Sequence, residues 1–309
     1  MLLALLNNAS WLENSQLRSV SGNNLMALAR SYYISPAFAF VAYPNRNSVP
    51  YREWYNIPEA DTVVRGTLRY QGFPEFIRAL VQLGWLDPGP REWVKEGLTW
   101  AEATKRAAGA KESSERWDGP LRLSLLTKWH CSALVSRVKE LCSFPDAAEA
   151  VRVISGLRWV GLFSPEQLIP RGGNLLDTLC ARLETLMAYG PGERDLVMLQ
   201  HKFVVERSDG TEVRTLQAKE GLPRAGHELS NSLKCGQEIH TSTLEAYGAP
   251  SGHSAMALTV GIPCGIATQL VLDGTISTPG ILLPYTKEIC NPIREQLEKE
   301  GIAMVERVL

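Results

Sequence analysis

Apolar and polar residues alternate along AFAFVAY (residues 37 to 43) and TVVRGTLRY (residues 62 to 70), and their β-branched and aromatic content predicts two strands. The segment PNRNSVP after the first strand carries the Pro and Asn of a turn. PEFIRALVQLGWL then takes helical spacing, with Pro74 in the first turn, where a missing backbone N–H is tolerated. From Asp87 to about Tyr189 the period stays helical, through LTWAEATKRAA, LLTKWHCSALVSRVKELC, AAEAVRVISGLRWVGLF and NLLDTLCARLETLMAY. This stretch predicts an all-α module, bounded by the chain-reversing segments LDPGP and GPGE.

Strand character returns in RDLVMLQHKFVVERSDGTEVRTLQ, with Asp209-Gly210 at a tight hairpin turn. Residues 214 to 240 hold no aromatic residue and little periodicity, which predicts a mobile surface loop. Residues 255 to 272, AMALTVGIPCGIATQLVL, carry no charge and reach the lower edge of membrane-span length. Gly261, Pro263 and Gly265 favour two short buried helices instead: Gly261 ends the first in a left-handed conformation, and Pro263 opens the second. A helix at KEICNPIREQLEKEG and a strand at IAMVERVL close the chain. The opening MLLALL reads as part of an amphipathic helix without a capping residue before it, an odd place for a domain to start.

Composition narrows the function classes. The 309 residues are 45% hydrophobic, enough to bury one or two cores, so the chain is globular. A net charge of -1, with no Lys/Arg block, argues against nucleic acid or an anionic membrane as a partner. The six cysteines (Cys131, Cys142, Cys180, Cys235, Cys264, Cys290) form no CxxC pair and there is no secretory leader, which predicts reduced thiols in the cytosol.

The candidate chemistry centres on arginine. Arg46 follows one strand and Arg69 lies near the end of the other, so their planar guanidinium groups converge on an anion if the strands are neighbours. Each also fits a surface or interdomain ion pair. Arg65, four residues before Arg69, shares its face on an uninterrupted strand and either joins the anion site or pairs with Asp61 or a neighbouring strand. Gly72 permits close backbone approach and the turn into the helix, while Tyr70 and Phe73 read as core.

Other motifs read as structural. In RGGNLLDTLC the glycines make a turn and Asn174 caps a helix; neither GxGxxG nor GxxxxGK[ST] occurs in the chain. Glu193, Arg194, Asp195 and His201 fit a solvated strand face better than acid/base chemistry. His130 and Cys131 diverge on a helix, and Cys235 and His240 lie in the predicted loop, so neither pair predicts a metal site. His253 or Ser254 begins the helix that follows, either as a cap or with its amide end facing a ligand.

The segments AFAFVAYPNRNS and DTVVRGTLRYQGFP resemble the saccharopine dehydrogenases, specifically the glutamate-forming, NADP-linked reductases of fungal lysine biosynthesis, and the resemblance runs through nearly the whole chain. It implies a substrate site for the tricarboxylate saccharopine built from Arg46, Thr67, Leu68 and Arg69, with NADP as cofactor, and transfers no catalytic residue to this chain. The implied reaction is hydride transfer from NADPH to the imine of glutamate and 2-aminoadipate 6-semialdehyde.

The implied fold is α+β: a mixed-sheet substrate and dimerisation domain of the glyceraldehyde-3-phosphate-dehydrogenase-like type, with an all-α insertion and a C-terminal remnant of a Rossmann domain. On that reading residues 1–86 and 190–250 are two parts of the substrate domain, 87–189 the insertion, and 251–309 a return to a dinucleotide-binding domain. The 214–240 stretch departs from the family, whose hairpin is expected to run on into TSTLEAYG (residues 241 to 248). The family opens with a dinucleotide-binding domain, so the chain is expected to be truncated and inactive alone, poorly soluble, cytoplasmic and homodimeric. A non-enzymatic binding protein derived from the family, and a relative such as homospermidine synthase, are the alternatives.

Overall fold

The computed structural model describes residues 2–95, 97–109, 134–166, 173–206 and 237–309. The chain forms two compact units, Met1–Ala188 and Tyr189–Leu309.

The first unit opens with a 3-10 turn at Leu2–Leu6, where an amphipathic α-helix was predicted. A hairpin follows, β1 (Ala9–Glu13) with β2 (Gln16–Val20), which the hydrophobic pattern did not announce. Its two turn residues, Asn14 and Ser15, both take positive φ (50° and 60°), the backbone twist that suits a two-residue hairpin. After a short helix, α1 (Gly22–Leu25), a three-stranded antiparallel sheet forms in the order β3 (Arg30–Tyr32), β4 (Phe40–Pro44), β5 (Gly66–Tyr70). The helical turn α2 (Tyr51–Trp54) lies between β4 and β5.

Both predicted strands exist but are shorter than their alternation. β5 begins at Gly66, because Val63 is taken up by a bridge to Leu12 of β1 and Arg65 lies outside the strand.

Helix α3 (Phe73–Gln82) starts at Gly72, whose φ of 91° turns the chain out of β5, and carries Pro74 in its first turn as predicted. In the predicted all-α stretch every regular element described is a helix. The stretch contains α4 (Trp100–Ala107, capped by Thr99), a helical run at residues 134–141, α5 (Ala147–Val160, capped by Asp146) and α6 (Leu175–Leu186, capped by Asn174). These helices share one core with the preceding segments: Leu5, Leu25 and Tyr43 belong to the same buried cluster as Trp100, Val138, Leu157 and Leu179. Trp85 and Trp100 stack within it, ring centroids 5.6 Å apart. Thr104, fully buried, donates its hydroxyl to the carbonyls of Trp100 (2.9 Å) and Leu162 (2.7 Å) and so ties α4 to the turn after α5.

The second unit is a three-stranded antiparallel sheet, β6 (Leu196–Glu206), β7 (Gln237–Tyr247) and β8 (Val305–Val308), with two helices, α7 (Ala255–Leu272) and α8 (Lys287–Lys299). Several expectations need correcting here. Residues 237–240, placed in the surface loop, are the first residues of β7, because they pair with Phe203 to Glu206. The proposed Asp209-Gly210 turn, and the rest of the loop up to residue 236, lie outside the described residues. The partner of β6 is β7, which contains TSTLEAY, in keeping with the family's hairpin.

The predicted break at Gly261 and Pro263 is absent. Residues 255–272 form one helix with Pro263 inside it, Gly261 is not left-handed, and only Ala255 and Leu270 are buried. An interior proline removes one hydrogen bond and crowds the carbonyl four residues back, at a cost of about 3 kcal/mol. A Cβ at Gly261 or Gly265 would meet nothing within 4 Å. With a mean hydropathy of 1.7 and 17% burial, this helix is long and apolar enough to cross a membrane.

The closing strand β8 pairs with β7 from Val305↔Thr243 to Val308↔His240, so it is not left without a sheet. All three described sheets are antiparallel, where a mixed sheet was expected, and the strand content together with the helices makes the chain α+β.

Candidate functional site

The β4–β5 ladder organises the predicted site residues. Its register is Val41↔Arg69, Ala42↔Leu68, Tyr43↔Thr67 and Pro44↔Gly66. Paired residues share a face of the sheet, so Thr67 and Arg69 stand with Tyr43 and Val41, while Leu68 and Ala42 stand on the other.

Tyr43, nearly fully buried, is hydrogen-bonded through its side chain to Thr67 and lies in the field of Arg69. Burial raises its phenol above the ordinary value, partly offset by the Arg69 charge and the Thr67 hydrogen bond. Sequence reasoning passed over Tyr43 as one more aromatic strand residue. The available signal was its place at the end of an alternating strand, just before the arginine-bearing turn.

Arg69 is half-buried. Its guanidinium donates to the Leu68 carbonyl at 2.9 Å and lies 5.4 Å from the Phe73 ring centroid, against the start of α3. The Gly72 turn beside it is held by Arg152 of α5, which donates to the Gly72 carbonyl at 2.7 Å and pairs with Glu149 and Glu75. A Cβ at Gly72 would collide with the Arg152 guanidinium, so the predicted close approach at this glycine is present.

Arg46 sits at the opposite end of the ladder, in the turn after β4. Its φ of 57° is left-handed, uncommon for a residue with a side chain and a store of local strain. The turn is fixed by β1: the Ser10 amide donates to the Arg46 carbonyl (2.8 Å), and the Ser48 amide donates to the Ser10 carbonyl (2.8 Å). Asn47 completes it, its side-chain oxygen accepting from the Ser10 hydroxyl and from the Val49 amide, each at 3.0 Å. The Arg46 side chain is exposed.

The strands that carry Arg46 and Arg69 are therefore neighbours, the condition set for convergence. Register separates them, however. The partner of Arg69 is Val41, five residues from Arg46, or about 17 Å along an extended strand. The two residues therefore stand at opposite ends of the ladder. None of the ion pairs among the described residues engages Arg46, Arg65 or Arg69. Arg65 does not share a strand face with Arg69, since it precedes β5, and it does not pair with Asp61; its guanidinium contacts the Tyr51 hydroxyl.

Tyr70, predicted as core, is exposed and rests on Phe40 with ring centroids 5.1 Å apart, while Phe73 packs at the edge of the core.

The remaining candidates have structural partners. The Asp195 carboxylate accepts from the first amides of α7, Ala255 (2.7 Å) and Met256 (2.9 Å), and Ser254 caps the same helix by accepting from Ala257 (3.0 Å). That helix end is thus occupied by a protein carboxylate rather than turned to a ligand. Glu193 accepts from the Gly190 amide, Arg194 lies over the Tyr247 ring, and His201 stacks on Phe203 along an exposed strand face. His240, assigned to the loop, stands in β7 beside Glu238 at 3.1 Å. His130, Cys131, Cys235 and Gly172 of the RGG segment lie outside the described residues, while Gly173 is described and takes a φ of 68°. Among the described residues no group of three metal-ligating side chains occurs.

Residues 1–302 match the model of the saccharopine dehydrogenase C-terminal domain. The chain is 42% identical to the NADP(+), L-glutamate-forming saccharopine dehydrogenase of Schizosaccharomyces pombe and 44% identical to that of Pyricularia oryzae, in each case over 100% of this chain and 60% of the relative. It is 29% identical to the mitochondrial alpha-aminoadipic semialdehyde synthase of Bos taurus, over 98% of this chain and 28% of that protein. Among solved structures it is similar to the apo, histidine-tagged saccharopine dehydrogenase (L-Glu forming) of Saccharomyces cerevisiae, with a TM-score of 0.81 and 43% identity, covering 100% of this chain and 60% of that one. The chain thus spans 60% of the length of these fungal relatives.

Proposed function

The chain belongs to the saccharopine dehydrogenase C-terminal domain family, and from that membership we propose that it is the carboxylate-binding part of an NADP-linked, glutamate-forming saccharopine reductase of lysine biosynthesis. The reaction is the reductive condensation of glutamate with 2-aminoadipate 6-semialdehyde. Hydride from NADPH reduces the imine between them and gives saccharopine.

The observation that carries this reading is the β4–β5 ladder, with Arg46 and Arg69 at opposite ends and no acidic partner for either among the described residues. Saccharopine bears carboxylates at both ends of an extended skeleton, so one ligand can engage both guanidinium groups by paired, charge-assisted hydrogen bonds. Thr67 lies on the Arg69 face between them, and Leu68, whose side chain is on the other face, contributes its backbone, the carbonyl already accepting from Arg69. These residues bind and orient the amino-acid skeleton.

The cofactor named in the relatives does not fit the described residues. No GxGxxG occurs anywhere in the sequence. The strand-to-helix turn at Gly72 has its carbonyl held by Arg152 and lacks an amide at Pro74. No step is therefore routed through NADP in this chain, and cofactor binding is assigned to the part of the relatives' length that the match leaves out.

The same reading takes residues 87–189 as an all-α insertion in a substrate domain of the glyceraldehyde-3-phosphate-dehydrogenase-like type, and residues 251–309 as the return to a dinucleotide-binding domain. It makes the protein a cytoplasmic homodimer. Support for a partner copy comes from β6, which lies at an edge of its sheet among the described strands and exposes Leu199, Phe203, Val204 and Val205.

Calorimetric titration of the purified chain with saccharopine tests the proposal. The wild type binds, and Arg46→Ala and Arg69→Ala each weaken binding about tenfold or more, the usual cost of a lost charged hydrogen bond. A folded wild-type chain that does not bind saccharopine overturns the assignment of the ligand site.

A further inference from the structure

We propose that Arg65 is a third carboxylate-gripping residue of this site and acts beside Arg46 on the glutamyl end of saccharopine. The inference rests on the assignment of β4 and β5 as the ligand's floor. Arg65 precedes β5, and its backbone is tied to both flanks of Arg46. Its carbonyl accepts from the Asn45 amide at 2.8 Å, and its amide donates to the buried Ser48 hydroxyl at 2.9 Å. The two arginine backbones are therefore locked side by side at one end of the ladder, four residues or about 13 Å from Arg69 by strand rise.

The Arg65 guanidinium is already held in place. It contacts the Tyr51 hydroxyl, and its central carbon lies 5.4 Å from the Tyr51 ring centroid. Tyr51 is braced in turn by Trp54 and Tyr55, at 5.1 and 5.5 Å between centroids. Tyrosine satisfies one edge of the guanidinium but neutralises none of its charge. Asp61, the near acidic residue in sequence, makes no ion pair with it, and its carbonyl accepts from the Ser15 amide. Arg52, the other cation of this corner, is engaged with the Pro58 carbonyl.

An exposed, oriented and unneutralised guanidinium loses little side-chain entropy on binding an anion. The charge count also sets the direction of the ligand. The glutamyl end of saccharopine has two carboxylates and matches Arg46 with Arg65; the lysyl end has one and matches Arg69.

The test titrates wild type, Arg65→Ala and Arg65→Lys with saccharopine and with two analogues that each lack one glutamyl carboxylate, N6-(3-carboxypropyl)-lysine and N6-(1-carboxypropyl)-lysine. Arg65→Ala weakens saccharopine about tenfold or more, yet binds one of the two analogues as well as wild type does, because that analogue lacks the carboxylate Arg65 would hold. Arg65→Lys, with charge but no two-pronged grip, falls between. A purely structural role would weaken all three ligands alike and would overturn the proposal. Binding that is sensitive to Arg46→Ala and Arg69→Ala but indifferent to Arg65→Ala overturns this inference alone. A folded wild type that binds none of the ligands overturns it together with the site on which it rests.

Discussion

Gly22 opens α1 at a point where a Cβ would run into the Leu6 backbone carbonyl. Neither backbone can yield as a flexible side chain would, so Gly22→Ala is expected to destabilise the first unit by about 3 kcal/mol, at the upper end of overpacking costs, measured by urea denaturation. Cys142 shows the opposite use of close packing. Burial pushes its thiol up to about 11 from 9.0, so the folded chain keeps a proton there that the unfolded chain releases. Stability from this group is complete below pH 9 and declines as the pH rises toward about 11. At pH 8 iodoacetamide should modify exposed Cys264 well before Cys142, and peptide mass mapping over time checks that order. The positions of Arg46 and Arg69 after one strand and near the end of its neighbour were legible in the sequence, while their use was not, because a guanidinium there suits an ion pair as well as an anion. Tyr43 was not legible, since its phenol becomes relevant only when the ladder sets it against Thr67.

Helix α7 illustrates the limits of local signals at the scale of the element. Pro263 and Gly261 argued for a break, yet 18 residues run through as one helix, fixed at its start by Ser254 and by the Asp195 carboxylate from outside the helix. The two backbone amides hold Asp195 below the ordinary carboxylate range. Its contribution is therefore present above the unfolded carboxylate's pKa and is lost as the pH falls through the lowered folded value. Asp195→Asn should lower the hydrogen-exchange protection of the Ala255 and Met256 amides at neutral pH, and acid should lower the wild type's protection at the same amides, each measured against the intrinsic rate at that pH; unchanged protection would remove Asp195 as the anchor of this helix. The elements with helical periodicity and side-chain caps, α4 to α6, were read correctly because Thr99, Asp146 and Asn174 cap them within their own sequence. The β1–β2 hairpin was missed because its turn uses Asn14-Ser15 rather than a glycine pair.

At the scale of the whole molecule the two units differ in core. Among the described residues most of the buried apolar ones belong to Met1–Ala188, whereas the second unit buries Ile239, Leu244, Ala255 and Leu270. All eight tryptophans precede residue 189, so tryptophan fluorescence reports the first unit while far-ultraviolet circular dichroism reports both. Urea titration should give transitions that do not coincide, with the dichroism signal falling first; superimposable curves would mean the units unfold together.

The sequence by itself determined the described helices of the 87–189 stretch, the β4 and β5 strands, the absence of a dinucleotide fingerprint and the presence of arginines beside those strands, because each is encoded in residue type and short-range spacing. Only the tertiary structure decided that β7 begins at Gln237, that α7 is unbroken, that Arg65 leaves the strand for Tyr51, and that Arg46 and Arg69 stand at two ends of one ladder. Strand register and capping from outside a helix are set by partners remote in sequence, and no local pattern contains them.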